Sequence, residues 1–226
     1  ASGIISRELR RLYAELPILA PGQALPRERG ELFWCVNALD GRTEFLERSG
    51  QFPVNVGLCE RDEPILGVVL VPAADPPALY VGVKGRGLPV KETLDGALGA
   101  CVGAAAIRCA EFRESDVGLT AVASAAHDTA ETDAFLGAYD ARADIWLGSS
   151  TLKLLLVAEG VAHVDPCFMP TSEWDTCAAH AIVACAGGEV LQVEGIAPRV
   201  LGGPVRYGKR DSSNPSFVAF GARRAA

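Results

Sequence analysis

The chain has 226 residues, of which 49% are hydrophobic and 22% are charged, and its formal net charge is −7. This composition is typical of a globular protein and excludes a disordered chain. The acidic charge disfavours a protein that binds a nucleic-acid polymer, because such binding relies on an excess of Lys and Arg. No apolar run reaches the about 18 residues that a membrane-spanning helix needs, so no span is expected.

The first half of the chain predicts one helix followed by an antiparallel meander. Apolar residues recur with a helical period over residues 4–16. Short apolar or alternating runs predict strands over residues 32–36, 52–59, 65–71 and 79–83. The glycines at 82–87 are not followed by a helix, so they indicate a hairpin turn rather than a nucleotide-binding loop.

The second half alternates predicted strands with predicted helices. The strands cover residues 118–124, 144–147, 161–164, 189–193 and 216–220, and the helices cover 129–139, 149–160 and 171–187. Alternation of this kind is typical of layered α and β structure. We therefore expect one α+β domain over residues 1–226, with lobes of about residues 1–117 and 118–226.

The cysteines predict buried thiols rather than a disulfide framework. Their number is odd and no C-x-x-C pair occurs, which also argues against a zinc ribbon. Most lie beside Val, Ala or Leu, so we expect reduced thiols and a reducing intracellular compartment, either cytoplasm or an organellar matrix. The seven are Cys35, Cys59, Cys101, Cys109, Cys167, Cys177 and Cys185.

The first candidate site is the segment 37–43, which follows an apolar strand and precedes a short predicted helix at 43–48. A strand, a tight turn and a helix start together present backbone N–H groups to an anion. Asp40 could cap the short helix. An Asp-Gly pair such as Asp40–Gly41 is also typical of an ordinary turn.

Two predicted helix starts carry further polar residues. Glu173 and Asp175 fall in the first turn of a helix, where acidic residues either interact with the helix dipole or face a metal or phosphate. Ser149 is either a helix cap or part of a phosphate site. The histidines have no metal-ligand spacing, so structural roles are expected for His127, His163 and His180.

Taken in order, several segments resemble the 3'(2'),5'-bisphosphate nucleotidases of the inositol monophosphatase superfamily. The segments are 33–58, 64–72, 122–136, 147–166, 170–191 and 205–221, and together they cover nearly the whole chain. The resemblance implies a layered αβαβα sandwich. It also implies hydrolysis of a phosphate monoester with Mg²⁺, in which clustered carboxylates hold the metal.

The resemblance assigns roles to individual residues. Asp40 and Asp175 occupy positions of metal-binding aspartates, and Leu39 occupies the position whose carbonyl ligates the metal. Gly41, Arg42 and Thr43 occupy the phosphate-binding turn. If the chain is active, Mg²⁺ is therefore the expected cofactor.

Several positions depart from the family pattern. Asn37 replaces an aspartate, and Arg42 replaces the threonine that helps to hold the nucleophilic water. Pro21 and Gly22 stand where the family has a pair of glutamates, and Ala125 replaces a substrate-side arginine. The register of residues 9–19 also implies that the family's N-terminal Thr-x-Ala-Asp motif is absent, so an N-terminally truncated sandwich is expected.

Three functions are consistent with this pattern. In the first, catalysis is impaired or lost, and the fold is a structural, regulatory or phosphate-ligand-binding subunit. In the second, the chain is an active Mg²⁺-dependent phosphatase that uses Asp40 and Asp175. In the third, it binds a small phosphorylated ligand without metal, with Arg42 as an anion clamp. Arg42 could also pair directly with Asp40 or Asp175 and replace the metals as the charge balance. The number of departures favours the first.

The resemblance also predicts a partner. Absence of the N-terminal segment would leave an apolar face uncovered, and a protein partner or a second copy of the chain could cover it. A small phosphorylated molecule is the expected ligand.

Overall fold

The computed structural model describes residues 2–23, 26, 30–96, 99–124, 130–194 and 201–224. Within them, the chain forms two large β-sheets, a small two-stranded sheet and five helices. The large sheets lie in separate layers, and the helices cover their faces.

The first sheet has seven strands in the order β1 to β7. Strand β1 is parallel to β2, and every later pair is antiparallel, which confirms the predicted meander. The last two strands were not predicted. The strands are β1 (Ile18–Leu19), β2 (Leu32–Asn37), β3 (Val54–Glu60), β4 (Glu63–Val71), β5 (Ala78–Val83), β6 (Val90–Leu94) and β7 (Cys101–Ala106), and the short helix α2 (Arg42–Leu46) follows β2.

Helix α1 (Ser2–Leu12) covers the outer face of this sheet. Its Ile5 and Leu9 pack against Trp34 and Val36, whose side chains leave β2 on that face. The helix ends before the predicted residue 16, because residues 13–17 turn the chain into β1.

Helices α4 (Ser150–Ala158) and α5 (Glu173–Cys185) form the central layer. Helix α5 crosses the first sheet over glycines that face one another, since Gly67 pairs with both Gly57 and Gly82. A Cβ atom on Gly67 would lie 2.0 Å from the carbonyl oxygen of Ala178. The missing side chains therefore set how closely α5 approaches the sheet.

The second sheet has the strand order β10-β9-β11-β14-β12-β13. Helix α3 (Ala130–Ala138) covers its outer face, where Phe135 and Tyr139 pack around Phe220. Its strands are β9 (Leu119–Ser124), β10 (Ala141–Leu147), β11 (Val164–Cys167), β12 (Glu189–Val193), β13 (Leu201–Pro204) and β14 (Phe217–Phe220), and β8 (Glu111–Phe112) pairs separately with β15 (Ala222–Arg223).

The order of layers is α1, first sheet, α4 with α5, second sheet and α3. It confirms the α+β class and the αβαβα sandwich. The strand predicted at 161–164 was placed too early, because Val161 and Ala162 still bond to the carbonyl of Leu156 as α4 ends, and β11 begins at Val164. The division of residues 1–226 into lobes stays a prediction, although the first sheet ends at Ala106 and the second begins at Leu119.

None of the seven cysteines forms a disulfide, and five of them are buried. Cys101 is exposed and Cys185 is half-buried, which differs from the expected burial. No helix among the described residues is long and apolar enough to span a membrane.

Candidate functional site

The end of β2 meets the first turns of α4 and α5. The Asn37 side chain donates from Nδ2 to Oδ1 of Asp175 over 2.8 Å. Asp40 follows three residues later, and its Oδ2 accepts a hydrogen bond of 2.5 Å from the Ser149 hydroxyl. The structure thus brings together Asn37, Asp40 and Asp175 from opposite halves of the chain, together with a cap residue of α4.

Hydrogen bonds at both the oxygen and the nitrogen of the side-chain amide fix the orientation of Asn37. Its Oδ1 accepts from the backbone N–H of Leu39 at 3.2 Å, which leaves Nδ2 to face Asp175. The other oxygen of Asp175 accepts from the backbone N–H of Ser172 at 2.8 Å, as part of a capping box. Both oxygens of Asp175 are therefore engaged.

Thr151 connects the two central helices beneath the carboxylates. Its hydroxyl donates to the backbone carbonyl of Asp175 at 2.8 Å and accepts from Asn55 Nδ2 at 2.6 Å. Thr151 is fully buried in the first turn of α4. These contacts fix the beginning of α4 relative to that of α5.

The two carboxyl groups are both partly shielded from water, which favours their protonated forms. Burial raises the pKa of Asp40, while hydrogen bonds from Ser149 and Thr151 act in the opposite direction. Burial, followed by the negative charge of Asp40, raises the pKa of Asp175 to about 6. The two carboxylates therefore disfavour each other's charge, and a bound cation would relieve this repulsion.

The turn at residues 40–43 lies where it was predicted, but the N-cap residue of α2 is Gly41 and not Asp40. Gly41 is the N-cap residue of α2 with φ +73°, and a Cβ there would lie 2.6 Å from the carbonyl oxygen of Gln51, so glycine is required. Asp40 does not cap α2 as predicted, because its carboxylate accepts from Ser149 instead. Thr43 is exposed in the first turn of α2.

Arg42 is exposed beside the carboxylates. Its positive charge opposes the rise in the pKa of Asp175, which places it within electrostatic range. It forms no ion pair with Asp40 or Asp175, all three being described, so the predicted direct pairing is wrong. The guanidinium remains available to a ligand.

Pro21 and Gly22 form an exposed turn after β1. Gly22 has φ +79°, and Ala20 bridges to Gln23 across the turn. Because β1 is parallel to β2 with Leu19 opposite Cys35, this turn follows at the same end of the sheet as Asn37. Neither residue supplies a carboxylate there.

Glu173 does not face the site. Its fully buried carboxylate accepts from the backbone N–H groups of Gly208 and Lys209 at 2.8 and 2.9 Å, and the Lys209 ammonium lies 2.7 Å away. Of the two acids predicted in this helix turn, only Asp175 belongs to the site. Glu173 instead secures the segment after β13.

Glu44 is an acidic neighbour that sequence reasoning missed. A Cβ on Gly148 would lie 1.7 Å from Glu44 Oε1, so the carboxylate packs directly on the glycine before Ser149. The sequence did place Glu44 in a helix turn next to the Asp-Gly pair, which could have marked it as a neighbour of the site. The sequence spacing of about a hundred residues gave no indication of the contact with Gly148.

A cavity of about 210 Å³ is lined by Ser124, Gly148, Ser150, Lys153 and Thr171, among others. Lys153 lies 3.4 Å from Asp165, and both side chains are buried. Burial lowers the pKa of Lys153, but the charges of Asp165 and Asp40 raise it more, so the ammonium stays charged. The cavity therefore offers a buried cation. The neighbouring Ala125 and His127 lie outside the described residues.

The donor set fits one hard cation. Mg²⁺ prefers six oxygen ligands, of which water and substrate often provide several. Asp40, Asp175 and the carbonyl of Leu39 are the protein oxygens that could hold it. In the part of the chain that the structure describes, the cluster of three metal-capable side chains is the buried Cys35, Cys59 and Cys177, and no third carboxylate there groups with Asp40 and Asp175.

Two histidines have structural partners, as expected. The backbone N–H of Thr120 donates to His163 Nδ1 at 3.0 Å, and His180 Nδ1 lies 3.0 Å from the Tyr207 hydroxyl.

Replacing Ser149 with alanine should destabilise the fold by about 2–4 kcal/mol. The hydroxyl accepts from Leu152 N at 3.3 Å as the cap of α4 and donates to Asp40, so the variant loses a cap and a hydrogen bond to a charged group. Urea denaturation measures the change. Ser150→Ala, in the same turn, is the control and should cost several times less; equal losses would contradict the assigned contacts.

The stability of the protein should depend on Asp175 between pH 4 and pH 7. Its pKa is about 6 in the folded chain and close to 3.8 when unfolded, so the folded state holds the proton in this window. The resulting stabilisation is present below the unfolded pKa and is lost as pH rises through 6. Relative to Asp175→Asn, the free energy of unfolding should fall by about 2 kcal/mol from pH 4 to pH 7. Denaturant titrations at several pH values measure it, and a difference independent of pH would contradict the expectation.

A family profile and several known proteins match most of the chain. The profile of the inositol monophosphatase family matches residues 1–218. The 3'(2'),5'-bisphosphate nucleotidase CysQ of Escherichia coli (strain K12) is 35% identical over 222 residues, which cover 96% of this chain and 80% of the relative. CysQ of Shigella flexneri gives the same identity and coverage.

Solved structures show the same fold. CysQ from Bacteroides thetaiotaomicron superposes with a TM-score of 0.76 at 33% identity, over 95% of this chain and 80% of that one. The inositol monophosphatase from Anabaena superposes with a TM-score of 0.73 at 20% identity, over 98% of this chain and 80% of that one. The chain belongs to the inositol monophosphatase family.

Proposed function

We propose that the chain binds a 3'(2'),5'-bisphosphate nucleotide or a related phosphate monoester at the acidic site, and that its Mg²⁺-dependent hydrolysis of that ligand is impaired. The observation that carries this proposal is the hydrogen bond from Asn37 to Asp175. An amide N–H faces a carboxylate at a position where the family resemblance implies a metal-binding oxygen.

Asn37 is a poorer metal ligand than an aspartate would be at this position. Its carbonyl oxygen has no net charge and already accepts one hydrogen bond from Leu39 N, while Nδ2 can only donate. The turn at Pro21 and Gly22 adds no carboxylate to hold or deprotonate a water. Loss of groups that act as a unit costs orders of magnitude in rate.

Ligand binding has its own support. Backbone N–H groups at Gly41 and Thr43 and the guanidinium of Arg42 can bind a phosphate, and the cavity beside Ser149 can take the rest of the ligand. Lys153, whose ammonium is paired with the buried Asp165, lines the same cavity and can donate a hydrogen bond to a second phosphate. When bound, Mg²⁺ would neutralise phosphate charge and polarise its P–O bonds, held by Asp40, Asp175 and the Leu39 carbonyl.

The test measures phosphate release from 3'-phosphoadenosine 5'-phosphate with Mg²⁺ and then with a chelator, beside CysQ of E. coli K12 as the reference. Calorimetry measures binding of the same nucleotide. Binding with turnover at least 100-fold below the reference supports the proposal. Turnover equal to the reference refutes the impaired-hydrolysis part, and absence of binding refutes the ligand assignment.

A fully active phosphatase is the second candidate, favoured by the proximity of Asp40 and Asp175 and by the nucleotidase relatives. It predicts chelator-sensitive turnover that Asp175→Asn abolishes. Turnover that survives this substitution would exclude it.

A metal-free site with Arg42 as the anion clamp is distinguished by calorimetry with inorganic phosphate in the presence of chelator. Arg42→Ala should then lose affinity, while Arg10→Ala, which removes an exposed charge from α1, should not. Equal affinity of the two variants would exclude the clamp.

The expected protein partner or second copy stays a prediction. Ile4 and Leu12 on α1 are 59% and 64% exposed, and they are the apolar side chains such a partner would cover. Light scattering after size-exclusion chromatography tests for self-association, and a strictly monomeric chain would exclude the homo-oligomer. The reducing compartment likewise stays a prediction.

A further inference from the structure

A second cavity, of about 440 Å³, lies at the opposite part of α5 from the acidic site. It shares no lining residue with the cavity beside Ser149. Its walls are mainly apolar and come from α5, β4 and the segment around β12 and β13. They include Pro64, Ala181, Val190, Leu191 and Pro204.

A buried imidazole also lines this cavity, in addition to the charged side chains at its rim. His180 lines it, is 6% exposed, and has its Nδ1 3.0 Å from the Tyr207 hydroxyl. Its Nε2 has no hydrogen-bond partner among the described residues. Burial, together with the charge of Arg206, lowers the pKa of His180 to about 3, so the ring is neutral and only one of its nitrogens carries hydrogen.

The neighbouring hydroxyl groups decide which nitrogen that is. Asn214 Nδ2 donates to the Thr176 hydroxyl oxygen at 2.9 Å, and Thr176 lies 3.1 Å from the Tyr207 oxygen. If Thr176 donates to Tyr207 and Tyr207 donates to His180 Nδ1, each hydroxyl hydrogen has an acceptor. The reverse direction would leave the Thr176 hydrogen without one among the described contacts. His180 Nε2 is therefore the protonated nitrogen, and it faces the cavity as a donor.

The charged residues at the rim are already paired with one another. Lys84 and Arg206 both contact Glu63, at 2.6 and 3.0 Å, and Glu189 pairs with Arg223. Each cation among the described residues that line the cavity therefore has an acidic partner and does not attract an anionic ligand. An uncharged ligand suits this balance.

We propose that this cavity is a second ligand site, which binds a neutral, largely apolar molecule with one hydrogen-bond acceptor placed against His180 Nε2. The volume is in the range of small-molecule sites, and such sites typically combine apolar walls with a few fixed polar groups. The hydrogen-bond chain through Tyr207 fixes the donor before the ligand arrives. The assignment does not depend on the function proposed for the acidic site.

The probe is 6-propionyl-2-(dimethylamino)naphthalene, a neutral ketone whose fluorescence moves to the blue in apolar surroundings and back toward the red when its carbonyl accepts a hydrogen bond. Saturable binding to the intact protein is expected. Ala184→Trp should abolish it, because Ala184 is an exposed residue of α5 that lines the cavity and a large side chain there would fill it. Asp133→Trp, on the exposed side of α3, is the control and should bind normally.

His180→Phe keeps the ring and removes the donor. Affinity should fall about fivefold to tenfold, and the emission of the bound probe should move further to the blue. If this variant fails to fold, the 6-propyl analogue without the carbonyl should show the same loss on the unchanged protein. The proposal would be overturned if Ala184→Trp bound the probe as tightly as the unchanged protein. It would also be overturned if neither His180→Phe nor the analogue without the carbonyl showed a loss of affinity. Binding of 6-(dimethylamino)-2-naphthoate as tight as that of the ketone would overturn the neutral ligand class.

Discussion

Replacing Gly67 with alanine is expected to destabilise the protein by about 2–4 kcal/mol, although it adds a single methyl group. That methyl would lie 2.0 Å from the carbonyl oxygen of Ala178 and 2.8 Å from its carbonyl carbon. Both atoms belong to the backbone of α5, so no side-chain rotation can relieve the overlap. The helix or the strand must move, which has the cost typical of overpacking.

The movement should also reach the acidic site. Ala178 lies one helical turn from Asp175, so a displaced α5 shifts the carboxylate away from Asn37. Affinity for Mg²⁺ or a phosphorylated ligand should fall together with stability.

Alanine substitutions at two other glycines provide a comparison for the stability loss expected of Gly67→Ala. A Cβ on Gly57 would lie 2.5 Å from the Cys177 sulfur, so Gly57→Ala should have a smaller cost than Gly67→Ala because a side chain can adjust. A Cβ on Gly103, in the exposed strand β7, would meet nothing closer than 3.9 Å. Gly103→Ala should change stability by less than about 1 kcal/mol. Urea denaturation of the three variants measures the order, and equal effects would contradict close packing by α5.

Strands with a regular pattern of apolar residues could be predicted from the sequence. Strands β2 to β5 carry β-branched and other apolar residues and occupy nearly the predicted positions. Strand β7 was missed because its six residues, Cys101–Ala106, are all exposed and mostly small. Its extended form depends on pairing with β6, which is a tertiary interaction.

The site shows the same division between local and long-range information. The family resemblance selected Asn37, Asp40 and Asp175, and the structure brings them together. The bond from Ser149 to Asp40 joins residues 109 positions apart, and no pattern along the chain encodes it. Sequence reasoning could identify Ser149 as a cap but not as the donor that limits the rise in the pKa of Asp40.

Asn37→Asp should produce opposite changes in the metal-free and Mg²⁺-bound protein. The present 2.8 Å hydrogen bond from Asn37 to Asp175 would become a contact between carboxylates. Without metal, the lost hydrogen bond and the added like charge should destabilise the fold by about 2–4 kcal/mol. With Mg²⁺, the same oxygens become ligands, and a close added charge should raise affinity about tenfold to 100-fold.

Thermal unfolding with and without millimolar Mg²⁺ measures both effects, because a ligand of the folded state stabilises it according to its affinity. Asn37→Ala is the matched control: it removes the hydrogen bond without adding charge, so it should be destabilised in both conditions. If Mg²⁺ stabilises Asn37→Asp no more than Asn37→Ala, Asn37 does not occupy a metal-ligand position. If Mg²⁺ selectively stabilises Asn37→Asp, one side chain at the end of β2 sets the metal affinity. Adding Arg42→Thr to the Asn37→Asp variant then tests whether turnover can be increased.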